Sequence, residues 1–348
     1  MKVTPGLLKR VAISILKELN ATDEEAAVVA ENLVRANMRG IDTHGVNYLK
    51  LLSERVGAHL MDIPTNIRLI REDDTTALLD GGNGFGQVAA HRAMRISIRK
   101  GRDFGIGLTL VRNTNNIGFL SFYTLIAAAE GMTGICACNA AASMAPWGGS
   151  EPFLGTNPLS IAVPNDSEAP VVLDMSASVV ARGKIRRAQR LKEEIPIGWA
   201  LDEKGQPTTD PSAALKGTLL PIGGPKGYGL ALIIDLLAGM LSGSKYGKEV
   251  ETFHQLRGPT GIGVLTMAID IERFMPLNRF RELMASYVES IKRTKKAKGG
   301  SQIYLPGEIE FEKEKRSEAE GIEIDTVVAE SLNDILNKMK SPLKLTGE

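Results

Sequence analysis

The sequence predicts an α/β fold, and three observations carry that expectation. Strand-like apolar segments alternate with helical ones through the middle of the chain, helical periodicity dominates its start, and an amphipathic helix closes it. With 348 residues, 43% of them hydrophobic, the chain can bury a large core divided between two or more lobes.

Thr4 reads as an N-cap with Pro5 at the first helical position, and Leu8, Val11, Ala12, Ile15, Leu16 and Leu19 follow at helical spacing. A second helix begins at Thr22, where Glu25 completes a capping box, runs through Val29, Ala30, Leu33 and Ala36, and stops at Gly40. Its end delivers Ile41, Asp42, Thr43, His44 and Gly45 into a turn. Thr76 to Asp80 reads as a strand, Gln87 to Lys100 as a helix and Ile106 to Arg112 as a strand, the pattern of a βαβ unit. Ser121 to Glu130 is an alanine-rich helix, Thr133 to Asn139 a strand, and Ser160 to Pro164 and Val171 to Met175 two short strands. Between them lies the irregular stretch Ala140 to Leu159, with Pro146, Pro152 and Pro158. A loop of this length inside a compact domain is usually functional. Residues 182 to 193 read as a charged helix, Asp202 to Pro211 as turns, and Gly223 to Gly229 as the lead into an apolar helix from Leu230 to Leu241. The basic run Lys292 to Lys298 and the mixed charges of Glu308 to Glu320 read as solvated surface. Ile324, Val327, Val328, Leu332, Ile335 and Leu336 form the apolar stripe of the closing helix.

Charge narrows the partners. Lys and Arg number 42 against 41 Asp and Glu, so nothing electrostatic attracts nucleic acid or an anionic membrane, and a small-molecule partner is expected. Cys136 and Cys138 fall on one face of a strand, a spacing unsuited to a disulfide, and read as reduced core residues of a cytoplasmic protein. Lys2, Lys9, Arg10 and Lys17 interrupt any signal-peptide core. Leu230 to Leu241 contains Asp235 and is too short to span a bilayer, so no membrane association is expected.

Two glycine patterns invite a cofactor. Gly84, Gly86 and Ala89 fit the G-x-G-x-x-A dinucleotide fingerprint between a strand and a helix, yet the next strand ends in Val111, Arg112 and Asn113 with no carboxylate for a ribose. A tight turn with close helix packing is the competing reading. Gly223 to Gly229, with Lys226, precedes a helix and suits an anion, or is simply a glycine-rich turn; it lacks the ending of a P-loop. The basic cluster Arg182, Lys184, Arg186 and Arg187 reads as a solvated helix face or as a contact for a 2′-phosphate. Proton transfer at neutral pH suits histidine, and the candidates are His44, His59, His91 and His254. His44 stands out because Asp42 precedes it and Gly45 follows in a turn after a capped helix, where Asp42 or a backbone group could orient its ring. Nothing distinguishes His59 or His254, and the four are too scattered for a metal cluster, so no metal is expected.

Longer blocks carry a resemblance. Arg39-Gly40-Ile41-Asp42-Thr43-His44-Gly45-Val46, Asn113 to Gly118, Ala145-Pro146-Trp147-Gly148-Gly149, Gly155-Thr156-Asn157-Pro158, Leu173 to Ser176, Gly183-Lys184, Ile195 to Asp202, Pro225-Lys226-Gly227 and Pro306-Gly307-Glu308 occur in order along nearly the whole chain. In this combination the sequence resembles the malate/L-lactate dehydrogenase family, which is unrelated to the Rossmann-type lactate and malate dehydrogenases. The family includes ureidoglycolate and sulfolactate dehydrogenases, diketogulonate reductase and a cyclic imino-acid reductase.

The resemblance implies a non-Rossmann, largely antiparallel sheet that binds NAD or NADP, covering residues 76–306, beside a helical domain formed by residues 1–75 and 307–348, usually in a homodimer. It turns the Gly84 to Ala89 pattern away from a Rossmann fingerprint. It implies hydride transfer between the nicotinamide and a small 2-oxo or 2-hydroxy acid, with His44 as the acid/base. Cyclic imino-acid reduction and an inactive NAD(P)-binding homologue are the alternatives. Cofactor contacts carry over to Asp174, Met175, Ser176, Ser178, Lys226, Gly227, Pro306, Gly307 and Glu308. Trp147, Thr156 and Asn157 shape the substrate pocket. Two positions depart from the family pattern. Asn116 stands where many members have a histidine; it can donate a hydrogen bond at the catalytic centre but cannot shuttle a proton. Tyr48 stands where many have an arginine, so a substrate carboxylate needs another arginine or hydroxyls.

Overall fold

The computed structural model describes residues 1–165 and 169–346. A short strand, β1 (Lys2–Val3), precedes α1 (Pro5–Glu18) and α2 (Asp23–Met38). The Thr4 hydroxyl caps α1 by accepting the Leu7 amide. Thr22 and Glu25 form the expected capping box, and the other Glu25 oxygen accepts the Thr65 amide at 2.6 Å, so one buried carboxylate fixes both the helix start and a distant loop. A 3-10 turn at Asp42–His44 then leads into α3 (Tyr48–Gly57), an element not singled out from sequence.

The chain next builds β2 (Arg68–Glu72), β3 (Thr76–Asp80), α4 (Gly86–Phe104), β4 (Ile106–Thr114), α5 (Ser121–Ala129), β5 (Met132–Cys138), β6 (Leu159–Val163) and β7 (Val171–Met175). After α6 (Arg182–Leu191) come β8 (Ala200–Leu201), α7 (Pro211–Lys216), β9 (Thr218–Leu219) and α8 (Pro225–Ile234). A π-helical stretch, Asp235–Met240, continues α8. Then follow β10 (Ile262–Asp270), α9 (Leu277–Lys292), α10 (Glu308–Glu320), β11 (Ile322–Glu323) and α11 (Thr326–Lys338).

Seven strands form the main sheet in the order β2-β3-β4-β10-β5-β6-β7. The expected βαβ unit is present, with β3 and β4 parallel and α4 between them, but every other neighbouring pair is antiparallel. A doubly wound dinucleotide fold has a mostly parallel sheet, so this is an α/β fold of another kind. Gly86 shows the local use of its glycine pattern: a Cβ there would fall 2.2 Å from the Asn115 carbonyl oxygen, so the helix start presses directly on the loop after β4. α4 is pinned to the sheet by buried hydroxyls, Ser97 bonding Thr109 and Thr266 at 3.0 Å each. Cys136 and Cys138 are buried and unpaired in β5, and burial pushes the Cys138 thiol up to about 12, which leaves it protonated.

A second core joins the two ends of the chain. Leu8, Ile15, Leu16, Leu33, Leu49 and Leu52 pack with Ala329, Leu332 and Leu336 of α11, each fully buried leucine contributing about 2 kcal/mol. β1 pairs with β11 beside them, Lys2 opposite Glu323 and Val3 opposite Ile322. The mixed-charge stretch read as solvated surface is more than that: Glu314 of α10 takes Arg35 at 2.6 Å and the buried Arg39 at 2.5 Å, anchoring α10 to α2.

Candidate active site

His44 sits on a turn fixed from the preceding helix. Asn37, in the last turn of α2, donates from Nδ2 to Asp42 at 2.7 Å and accepts the Val46 amide at 2.9 Å. Gly45 is required between them, because a Cβ would fall 2.2 Å from the Asn37 oxygen. Asp42 therefore does not orient the imidazole, as the sequence suggested; its carboxylate is held by Asn37. The Thr43 hydroxyl pairs with His44 Nδ1 at 3.0 Å, leaving Nε2 without a protein partner among the described residues. Burial lowers the His44 pKa to about 4, so the ring is neutral at neutral pH.

Aromatic rings continue from His44. Tyr48 stacks at 6.0 Å between centroids and 10° between planes, and itself meets Phe253 at 5.7 Å and His254 at 6.0 Å. Burial raises the Tyr48 hydroxyl to about 12, against the pull of Arg186. His254 arrives on residues 251–260, a loop held by the buried Arg55 of α3, whose guanidinium donates to the carbonyls of Phe253, Gln255 and Gly258. Burial lowers His254 to about 4, and the charges of Arg186, His44 and Arg182 add to it. Sequence reasoning had no signal for His254, since only the fold brings it beside His44.

The start of α6 abuts the same turn: a Cβ on Gly183 would lie 2.9 Å from the Thr43 methyl. Arg182 and Arg186 are half-buried there, so the basic cluster is not simply solvated. On another side, Asn116 accepts the Gly118 amide at 2.9 Å through its Oδ1, which leaves its NH2 free to donate. Its neighbour Asn115 locks that loop, donating to the carbonyls of Asn83 and Gly84 and accepting the Thr260 hydroxyl, each at 2.9 Å.

The long loop before β6, the segment after β7 and the turn before α8 are knitted together. Asn157 is buried, accepting the Ala140 amide at 3.0 Å and donating to the Ala231 carbonyl at 2.8 Å, so its amide shapes the loop. The Thr156 carbonyl accepts the Ala177 amide, and the Ala177 carbonyl accepts that of Ile222. Gly227 is buried where a Cβ would fall 2.3 Å from the Ile222 oxygen and 2.8 Å from that of Ala177. Trp147, 57% exposed, lays its ring against Gly224. Lys226 points outward from the first turn of α8. Asp174 keeps solvent access while accepting the Ser121 amide at 2.8 Å; the surrounding protein raises its pKa. Met175 is half-buried beside it. Ser176 bonds Ser178 at 3.1 Å, and Ser178 donates to the Val180 carbonyl. The Pro306 carbonyl accepts the Val172 amide, and Gly307 lies where a Cβ would meet Val172 at 2.8 Å. Glu308 is tied to Lys292 at 2.5 Å and to the Leu305 amide at 2.8 Å. Thr156 to Asn157, Trp147, Asp174 to Ser178 and Lys226 to Gly227 are thus neighbours, with Pro306 to Glu308 against the strand that carries Asp174. His44, Tyr48 and His254 form a separate group beside α6.

Comparison with known proteins identifies the family of the chain. The family model described as malate/L-lactate dehydrogenase matches residues 3–333. A malate dehydrogenase from Pyrococcus abyssi is 39% identical over 335 residues, covering 94% of this chain and 92% of the relative. The structure of a sulfolactate dehydrogenase from Methanocaldococcus jannaschii superposes with a TM-score of 0.92 at 35% identity, covering 99% of this chain and 98% of that one. That of a delta1-piperideine-2-carboxylate reductase from Pseudomonas syringae gives 0.85 at 26% identity, covering 96% and 99%. Matched almost end to end in sequence and in fold, the chain belongs to the malate/L-lactate dehydrogenase family.

Proposed function

We propose that this protein is an oxidoreductase that moves a hydride between NAD or NADP and a small 2-oxo or 2-hydroxy acid of the malate or lactate kind, with His44 as acid and base. One observation carries the reading: a neutral imidazole, anchored through Nδ1 to Thr43 on a turn stapled by Asn37, presents an unpartnered Nε2. The names of the relatives, malate and sulfolactate dehydrogenases, support a hydroxy acid.

The residues present fit a dinucleotide. Lys226 and the start of α8 favour an anion, the accessible Asp174 suits ribose hydroxyls, and Gly224 and Gly227 let the Trp147 ring and the Ile222 and Ala177 carbonyls pack closely against that turn. Met175, Ser176, Ser178 and the Pro306–Glu308 turn complete that surface. When bound, the nicotinamide supplies or accepts the hydride. In oxidation His44 Nε2 takes the substrate hydroxyl proton, and in reduction it returns one. Asn116 donates a hydrogen bond to the substrate oxygen, while Trp147 and Thr156 wall the pocket and Asn157 holds its loop. We assign the other roles to a unit of residues 76–306, with the helical side contributing His44 and Tyr48 from residues 1–75 and Gly307 and Glu308 from residues 307–348.

Replacing His44 with Gln is expected to lower turnover by about 100-fold or more while NADH or NADPH binding, read by fluorescence, persists. Turnover within a few fold of wild type would refute the assignment. Reduction of a cyclic imino acid is a second reading, favoured by Asn116, which cannot shuttle a proton, and by the structural likeness to the piperideine-carboxylate reductase. Absorbance at 340 nm with pyruvate, oxaloacetate and a cyclic imino acid in parallel separates the two. Tight cofactor binding with no turnover on any of them would instead mark an inactive homologue.

A homodimer is supported by one exposed apolar face, Ile233, Leu236, Leu237, Met240 and Leu241, at the end of α8 and its π-helical continuation. Among the described residues no helix is long and apolar enough to cross a membrane. Two buried unpaired thiols suit a reducing cytoplasm, which fractionation of the source cells would test.

A further inference from the structure

We propose that Arg186 is the residue that grips the substrate's carboxylate beside His44; the inference rests on the function proposed above. It begins from how α6 is anchored. Its first turn lies against Thr43 through Gly183, and Arg190 pairs with Asp325, the cap of α11, at 3.3 Å. Arg182, Arg186 and Arg190 recur every four residues and so share one helical face, which runs past the His44 turn.

The other cations of α6 are accounted for. Arg182 donates to the Leu215 carbonyl at 2.6 Å, Arg190 holds Asp325, and Lys184 and Arg187 are exposed. Arg186 is half-buried and, among the described residues, makes no hydrogen bond or ion pair. Arg186 follows Gly183 by three residues and so lies on the helix face that meets Thr43 of the His44 turn; its charge also acts on the Tyr48 hydroxyl and the His254 ring. A partly desolvated guanidinium lacking an acidic neighbour costs stability, and its planar fork of donors matches a carboxylate in two parallel bonds. Of the side chains in the cluster, Tyr48, Phe253, His254, Thr43 and Arg182 are neutral or positive, and the nearby carboxylates are engaged elsewhere, Asp42 by Asn37 at 2.7 Å and Glu251 facing Arg55. An anionic substrate supplies the missing charge, and held there it lies next to the His44 ring. An uncharged ketone gains nothing from this site.

The test uses the purified full chain and oxalate, a planar dicarboxylate that mimics a 2-oxo acid, titrated calorimetrically at constant ionic strength. Oxalate is expected to bind wild type and the Arg187→Gln variant, which removes an exposed charge from the same helix, alike. Affinity should fall at least tenfold in Arg186→Gln and recover in part in Arg186→Lys, with the melting temperature of all variants within a few degrees. On a 2-oxo acid that wild type turns over, Arg186→Gln should raise KM far more than it lowers kcat. Equal oxalate binding by wild type and Arg186→Gln, or no oxalate binding by wild type, overturns the proposal. Arg186-dependent oxalate binding in a protein that reduces no 2-oxo acid would instead remove the proposed function and leave the anion site standing.

Discussion

Acid should weaken this fold through His44 by an amount the structure sets. The imidazole has an ordinary pKa of 6.5 in the unfolded chain, but burial lowers it to about 4 in the folded one. As pH falls below 6.5 the unfolded state takes up a proton that the folded state refuses, so stability is lost through that window and is fully present above it. Linkage over these two values gives a loss of about 2 kcal/mol by pH 5 and about 3 kcal/mol by pH 4. The perturbation is His44→Gln, which keeps a neutral side chain with hydrogen-bonding capacity and removes the titration. Urea unfolding of both proteins at intervals from pH 7.5 to pH 4.5 reads the difference directly. Every other titrating group is common to both, and only His254, whose pKa the His44 charge also lowers, shifts with the substitution, so the gap belongs to His44 and its coupling to His254. The wild type should lose stability faster, and the gap should change by about 2 kcal/mol between pH 7.5 and pH 5. Parallel curves would show that the ring is not desolvated as described. A steeper loss in the variant would contradict the sign.

Two further expectations follow from packing. Gly227→Ala forces a methyl group against the carbonyl oxygens of Ile222 and Ala177. It should cost about 2 kcal/mol in thermal unfolding and weaken NADH or NADPH binding by fluorescence titration, with unchanged values counting against a cofactor role for that turn. Leu237→Asp places a charge in the exposed apolar face after α8, and sedimentation should report a shift from dimer to monomer with the fold intact by circular dichroism. A wild type that sediments as a monomer would remove the assembly.

The elements that could be read from sequence were those whose signals are local. Thr4 with Pro5 and Thr22 with Glu25 mark helix starts by side chains that act within one turn, and both caps form. β10 escaped notice because it is the central strand: Ile262 to Leu265 are buried on both faces, so no alternation marks them. β2 escaped for the opposite reason, every one of its residues being exposed. α8 begins at Pro225 rather than Leu230, since proline suits the first helical position and Gly227 and Gly229, which looked like part of a lead-in, lie within the helix. At the site, His44 could be suspected from its turn. The Asp42 expectation failed because Asn37, on the preceding helix, competes for that carboxylate. His254 and Arg186 carry no local mark, as their meaning depends on Arg55 gripping one loop and Gly183 seating one helix.

The joining of the chain's two ends has a consequence for biosynthesis. The main sheet lacks no strand once Asp270 has been made, whereas the helical core must wait for α11, the last helix to be synthesised. Until then Leu8, Ile15, Leu16 and Leu33 on α1 and α2 lack the leucines that cover them, and β1 lacks the strand it pairs with. A nascent chain of this topology therefore leaves the ribosome with an early helical layer that α11 completes only later. That makes its early helices natural clients for chaperones during translation.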